Sequence, residues 1–151
     1  MEYASKSFKS SVRILVTTLM SAFFVSGTVL AGDVGDNNER RTAEKAREAV
    51  DNAGPDDWHT LASAAERCIK KDINLAEAKA WLEKSIEIRK TPYNLAILGD
   101  YYMLNQIPEK GLEYYVASLR IGFQFNINYR DEITHSKMMK VRKELLKRSN
   151  S

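Results

Sequence analysis

The stretch PYNLAILGDYYMLNQIPEKGLEYYVASL, residues 92–119, decides the fold, because an earlier stretch of the same chain repeats its plan. Residues 55–86, PDDWHTLASAAERCIKKDINLAEAKAWLEKSI, carry matching residue types in matching order. Pro55, Trp58, Leu61, Ala62 and Ala65 correspond to Pro92, Leu95, Leu98, Gly99 and Tyr102, each shifted by 37 (92 − 55). Ala78, Leu82, Ser85 and Ile86 correspond to Gly111, Tyr115, Ser118 and Leu119, each shifted by 33 (111 − 78). The two shifts differ by about one helical turn, so the first unit has the longer turn between its two helices. Small residues at Ala62, Gly99, Ala78, Gly111, Ser85 and Ser118 let helix backbones approach, while Trp58, Leu82, Tyr102 and Tyr115 fill the gaps between neighbours. The expected fold is therefore all-α, with two helix-turn-helix units stacked side by side.

Outward from these units the chain divides into helices and punctuation. Residues 39–52 contain no Gly or Pro and place Ala43, Ala46, Val50 and Ala53 on a narrow helical stripe, which offers little area for docking. Gly54 and Pro55 stop that helix, and Asp56 or Asp57 can cap the next. Residues 58–71 put Trp58, Leu61, Ala62, Ala65, Cys68 and Ile69 on one face. The Asp72-Ile73-Asn74 turn leads into a helix over residues 75–90, closed by Thr91-Pro92. The second unit predicts helices over 94–104 and 109–121, with Pro108 at the start of the latter. Gly99 inside a helix would cost about 1 kcal/mol relative to alanine in an exposed setting, so its presence implies a close helix crossing. Residues 122–129, GFQFNINY, alternate apolar and polar like a short strand or extended connector. Helical spacing resumes over residues 131–147, where Ile133, Met138, Val141 and Leu145 suit a helix that seals the last unit.

The chain has 151 residues, 44% hydrophobic and 28% charged, which is a globular composition. Part of that hydrophobicity belongs to a targeting segment. Lys6, Lys9 and Arg13 precede an apolar run from Ile14 to Ala31, ending in Val29-Leu30-Ala31 before Gly32. A basic start, apolar middle and small-residue exit predict a signal peptide over residues 1–31, cleaved after Ala31. An uncleaved anchor would make the chain a membrane-tethered adaptor, whereas a cleaved one leaves no stable membrane insertion. Loss of Lys6, Lys9 and Arg13 against Glu2 lowers the formal net charge from +3 to +1 (3 − 3 + 1), so the mature chain gives no case for nucleic-acid binding. Cys68 is the single cysteine, which excludes an internal disulfide and suits burial as a small apolar side chain.

The run Leu95-x-x-Leu98-Gly99-x-x-Tyr102 followed by Gly111-Leu112-Glu113-Tyr114-Tyr115-x-x-Ser118-Leu119 resembles a tetratricopeptide repeat. The first unit matches more loosely, with Ala65 where an aromatic is usual. The stretch from Trp58 to Ile121 is also similar to the helical tail of some exported bacterial proteins of unknown function. The resemblance implies a short α-solenoid of two repeats, residues 55–91 and 92–125. A polar linker and N-terminal helix over 32–54 would flank it on one side. A connector to residue 130 and a basic capping helix over 131–151 would flank it on the other. Two repeats leave apolar faces open at both ends, which the flanking helices can cover. The resemblance further implies that a protein or peptide binds the concave face lined by the first helix of each unit. The groove positions would be His59, Ser63, Glu66 and Arg67, then Ala96, Asp100 and Met103. Family members that clamp a C-terminal carboxylate use Lys and Asn where this chain has His59, Ser63, Ala96 and Asp100, so that activity is not expected.

Catalytic motifs are missing from the sequence: it has no phosphate-binding glycine loop, nucleophile elbow or paired-carboxylate spacing. His59 and His135 stand 76 residues apart (135 − 59) without carboxylates at ligand spacing, so neither metal nor cofactor is expected. Of the pairs Tyr101-Tyr102 and Tyr114-Tyr115, one member each is expected in the core, since successive helical positions diverge by about 100°. The basic residues Lys137, Lys140, Arg142, Lys143, Lys147 and Arg148 suit the end of a sealing helix. The expected function is a secreted or periplasmic, non-catalytic interaction module, with self-association left open. An accessory subunit or remnant of an enzyme is the alternative.

Overall fold

The computed structural model describes residues 33–150, with side chains from residue 37 onward, so the expected signal segment lies outside the described residues. The order is α1 (Asp33–Asp51), α2 (Trp58–Lys70), α3 (Leu75–Ile88), α4 (Pro92–Leu104), α5 (Pro108–Phe125) and α6 (Glu132–Ser149). Among the described residues there is no strand, and the fold is all-α. The helices α2 and α3 form one antiparallel-type pair and α4 and α5 a second; α4 touches both helices of the first pair, while α1 packs on α2 and α6 on α5.

Local chemistry sets the helix ends. Asp57 starts α2 by accepting from the Thr60 amide at 3.0 Å, and that hydrogen bond holds its carboxyl below the ordinary aspartate range. Asp72 and Asn74 take left-handed φ values of 55° and 50° in the turn between α2 and α3, a conformation these short polar side chains tolerate. A reciprocal capping box opens α4: the Asn94 amide donates to Thr91 Oγ1 at 3.2 Å and the Thr91 amide to Asn94 Oδ1 at 2.9 Å.

The core joins the first pair to α4 through Ala62, Ala65, Cys68, Ala78, Leu82, Ile97 and Leu98. Cys68 is a fully buried free thiol. Hydroxyls tie each pair together. Ser85 Oγ donates to the Trp58 carbonyl and Ser118 Oγ to the Pro92 carbonyl, each at 2.7 Å. Asn94, fully buried, then donates to Ser85 Oγ at 3.1 Å and to the Arg89 carbonyl at 2.7 Å, which links the first pair to α4. No buried side-chain polar atom among the described residues lacks a partner.

In the second pair the backbones nearly touch. A β-carbon on Gly99 would lie 2.5 Å from the Tyr115 ring and 3.3 Å from the Gly111 carbonyl, and one on Gly111 would lie 2.6 Å from the Met103 sulfur. At Gly99 the obstacle is a buried ring, so glycine there is a packing requirement; at Gly111 it is the flexible Met103 side chain that would have to shift.

Three expectations change. The helix α1 begins at Asp33, inside the stretch expected as a linker, and its narrow alanine stripe is supplemented by Arg47. That guanidinium makes two bonds to Glu77, Nε to Oε2 at 2.8 Å and Nη2 to Oε1 at 3.1 Å, and reaches Asn74 Oδ1 at 3.2 Å. Residues 122–125 continue α5 as helix, and only 126–131 form the connector. The alternation that suggested a strand is an exposed row, with Phe125 72% and Ile127 82% exposed, and Gly122 fits a helix because the Tyr129 ring lies against it. In α6 the sealing side chains are Thr134 and Val141, with Met138 and Leu145 half-buried; Ile133 is 72% exposed in the first turn of α6, on the same face as Lys137 one turn further on.

Gly99→Ala is expected to destabilise the protein by about 1–3 kcal/mol through overpacking, although alanine is the better helix former. Gly54→Ala, with nothing within 4 Å, is expected to stay near neutral. Urea denaturation of the two variants checks this, and equal midpoints would contradict the close crossing.

Candidate functional site

A groove of about 480 Å³ runs between α2, α4 and the start of α6. Trp58 and Glu66 line it from α2; Pro92, Tyr93, Ala96, Ile97 and Asp100 from α4; Ile133, Thr134 and Lys137 from α6. The buried Ala62 and Ala65 of α2 pack with Ile97 and Leu98 of α4, Lys137 reaches Asp100 from α6, and Asp131 caps α6 by accepting from the Thr134 amide at 2.9 Å and hydroxyl at 2.7 Å.

Three carboxylates stand in the groove walls, Glu66, Asp100 and the helix-capping Asp131, and all are already engaged. Tyr93 donates its hydroxyl to Glu66 Oε2 at 2.8 Å, and Lys70 approaches Glu66 Oε1 at 2.7 Å. Burial pushes the Glu66 carboxyl up, but hydrogen bonds from Lys70 and Tyr93 outweigh it and hold the group below the ordinary glutamate range. Asp100 accepts from the Tyr115 hydroxyl at 2.7 Å and from Lys137 Nζ at 2.7 Å. Burial first, and the neighbouring carboxylate second, raise the hydroxyl pKa values of Tyr93 and Tyr115, so both phenols stay protonated at neutral pH. His59 stacks on Tyr93 with ring centroids 5.5 Å apart, and Arg89 lies 5.7 Å over the Trp58 ring. The arrangement offers fixed hydrogen-bonding edges and apolar surface at Ala96 and the Trp58 and Tyr93 rings, which is a chemistry of binding.

Of the seven expected groove residues, the structure brings Glu66, Ala96 and Asp100 to this groove, and His59 reaches it through Tyr93. Ser63 is half-buried and spends its hydroxyl on the Thr60 carbonyl at 3.2 Å. Met103 packs at the α4–α5 crossing beside Gly111. Arg67 points elsewhere and lines a cleft between α1 and α2. Among the expected packing residues, Leu61, Ala62, Ala78, Leu82, Ser85, Leu98, Gly99, Gly111, Tyr115 and Ser118 are buried, while Trp58 and Tyr102 are half-buried. Tyr115 is the core member of its pair; Tyr101 and Tyr102 are both half-buried, and Tyr102 stacks on Tyr114 at 5.2 Å.

Sequence reasoning missed Tyr93, Asn94 and Lys137 as partners. One signal was present for Lys137: it follows Asp100 by 37 residues, the shift that also separates Asp100 from Ser63 (100 − 63). Among the described residues no cluster of three metal-ligating side chains occurs, and no helix is long and apolar enough to cross a membrane. No family model, curated protein or solved structure matches the chain.

Two measurements probe the site. Asp100→Asn and Lys137→Met, singly and together, are expected to give a coupling energy of about 0.2–1 kcal/mol, since the pair is partly exposed; strict additivity in urea melts would remove the link between α4 and α6. Glu66, Asp131 and Asp57 all have folded pKa values below their unfolded ones, so each stabilises the fold fully above its unfolded value and loses that contribution as pH falls through the folded value. With unfolded values of about 4, Tm is expected to be nearly flat from about pH 7 to 5 and to drop below about pH 4. A Tm that rises on acidification would reverse the assignment.

Proposed function

We propose that this protein is an exported, non-catalytic interaction module that holds a protein or peptide segment in the groove between α2, α4 and α6. The groove would be the concave face of a short tetratricopeptide-like solenoid in which α2–α3 and α4–α5 are the two repeats, with α1 and α6 as caps. Export rests on the basic and apolar pattern of residues 1–31.

One observation carries this proposal. The first helix of each pair, together with α6, turns a face of mixed aromatic, apolar and carboxylate character onto a common open groove, while the small residues of both pairs are spent on packing. The tyrosine, lysine and carboxylate side chains of the walls are already fixed by one another, so little conformational entropy is lost when a partner docks. An extended peptide would place side chains over Ala96 and the Tyr93 ring and its backbone beside the Glu66 and Asp100 edges.

Site-specific photo-crosslinking tests it in the native envelope. A benzoylphenylalanine replacing Ala96 is expected to yield a discrete protein adduct that Tyr93→Ala reduces about tenfold, as expected where an aromatic anchor is lost. The same probe replacing exposed Lys143 is expected to yield none. Equal adducts from both positions, or turnover of small molecules by the purified chain without any adduct, would sink the interaction-module proposal.

A further inference from the structure

Arg67, left unused by the groove, belongs to a second concavity. An open cleft of about 770 Å³ lies between α1 and α2. From α2 and its C-cap it receives Arg67, Lys70 and Lys71, and from α1 it receives Lys45, Glu48 and Ala49. Four cations thus face one carboxylate across its walls.

The internal structure neutralises little of that charge. Lys70 pairs with Glu66 at 2.7 Å, and Lys71 donates to the uncharged Thr42 hydroxyl at 2.8 Å. Lys45 and Arg67 form no ion pair among the described residues. The macrodipole of α2 favours cations at its C-terminal end and so accounts for Arg67, Lys70 and Lys71 without any ligand. It does not account for Lys45, which lies in the middle of α1 and faces the same space.

The cations are also spread along the cleft. Arg67 and Lys71 stand one turn apart, about 6 Å along the helix axis, and Lys45 lies on the opposite wall. Charges converging on one point would suit a phosphate; charges strung along a helix suit carboxylates that recur every three or four residues. Ala49 and the apolar stems of the lysines provide a floor for aliphatic side chains between those carboxylates. We propose that the α1–α2 cleft is a second docking surface that takes an acidic amphipathic helical segment of a partner protein. This surface shares only α2 with the groove and does not depend on the groove being occupied.

Fluorescence anisotropy of the full chain with a labelled Ala/Leu/Glu helical peptide tests the assignment. The peptide has about four turns and carries its glutamates at i, i+4 and i+8 on one face. A composition-matched peptide with the glutamates distributed around the helix serves as control. The triple variant Lys45→Gln, Arg67→Gln, Lys71→Gln is expected to weaken binding of the patterned peptide about tenfold or more. Lys140→Gln, Lys143→Gln, Lys147→Gln, which removes equal charge from α6, is expected to change it less than twofold, and the patterned peptide is expected to bind at least fivefold more tightly than the control. Circular dichroism of each variant establishes that it is folded, and single substitutions replace any triple variant that is not. The assignment fails if the two triple variants lose binding equally, if the two peptides bind equally, or if no peptide binding is measured at low salt. It also fails if inorganic phosphate displaces the peptide at an ionic strength where chloride does not, or if phosphatidylglycerol vesicles bind through Lys45, Arg67 and Lys71 while the peptide does not.

Discussion

The approach of α4 to α5 at Gly99 and Gly111 is the constraint on which the rest of the structure depends. With hydrogen in place of a side chain at each position, the Tyr115 ring can lie over Gly99 and the Met103 sulfur over Gly111. The buried Tyr115 ring places its hydroxyl 2.7 Å from Asp100, and Asp100 then presents its oxygens to Lys137 on α6. One steric allowance in the second helix pair therefore reaches, through a phenol and a carboxylate, to the position of the last helix and to the wall of the groove. Among the described residues the buried polar side chains are not isolated: each has a partner, which avoids leaving an unsatisfied group at a cost of about 1–3 kcal/mol.

The first pair and its junction use a different device. Ser85 is small enough for close packing, but its hydroxyl also reaches the Trp58 carbonyl and receives the Asn94 amide. Asn94 in turn caps its own helix through Thr91 and holds the end of α3 through the Arg89 carbonyl. A buried asparagine with donors and acceptors all engaged specifies one placement of α4 against the first pair, where alanine packing alone would tolerate sliding. The same division of labour recurs at Ser118, which braces α5 to Pro92. At the outer edge α1 docks through the buried Ala43 and Ala46, and the exposed Arg47 adds bonds to Glu77 and Asn74.

Helix content and pairing were legible because they follow from periodicity and punctuation. Asp57, Asp72, Asn74, Thr91 and Pro108 mark boundaries through chemistry that acts within a few residues, so their effects show in the sequence. The alternation at residues 122–129 misled because period two was read as one buried face, whereas Phe125 and Ile127 are exposed and Gly122 continues the helix under Tyr129. The groove was legible only in part. Glu66 and Ala96 could be placed from the repeat register, but Tyr93 and Lys137 act across helices, and nothing local in their neighbourhoods announces it.

The sequence by itself determined six helical segments' worth of local preference, the small-against-large pattern that lets them pair, and the charge balance of the surface. Tertiary structure alone decided which side chains share a space. Glu66 and Arg67 are neighbours in the chain, yet one faces the groove with Tyr93 and the other the cationic cleft with Lys45. The reason is geometric: consecutive residues on a helix diverge by about 100°, and which surface each then meets depends on where α1 and α4 come to rest against α2.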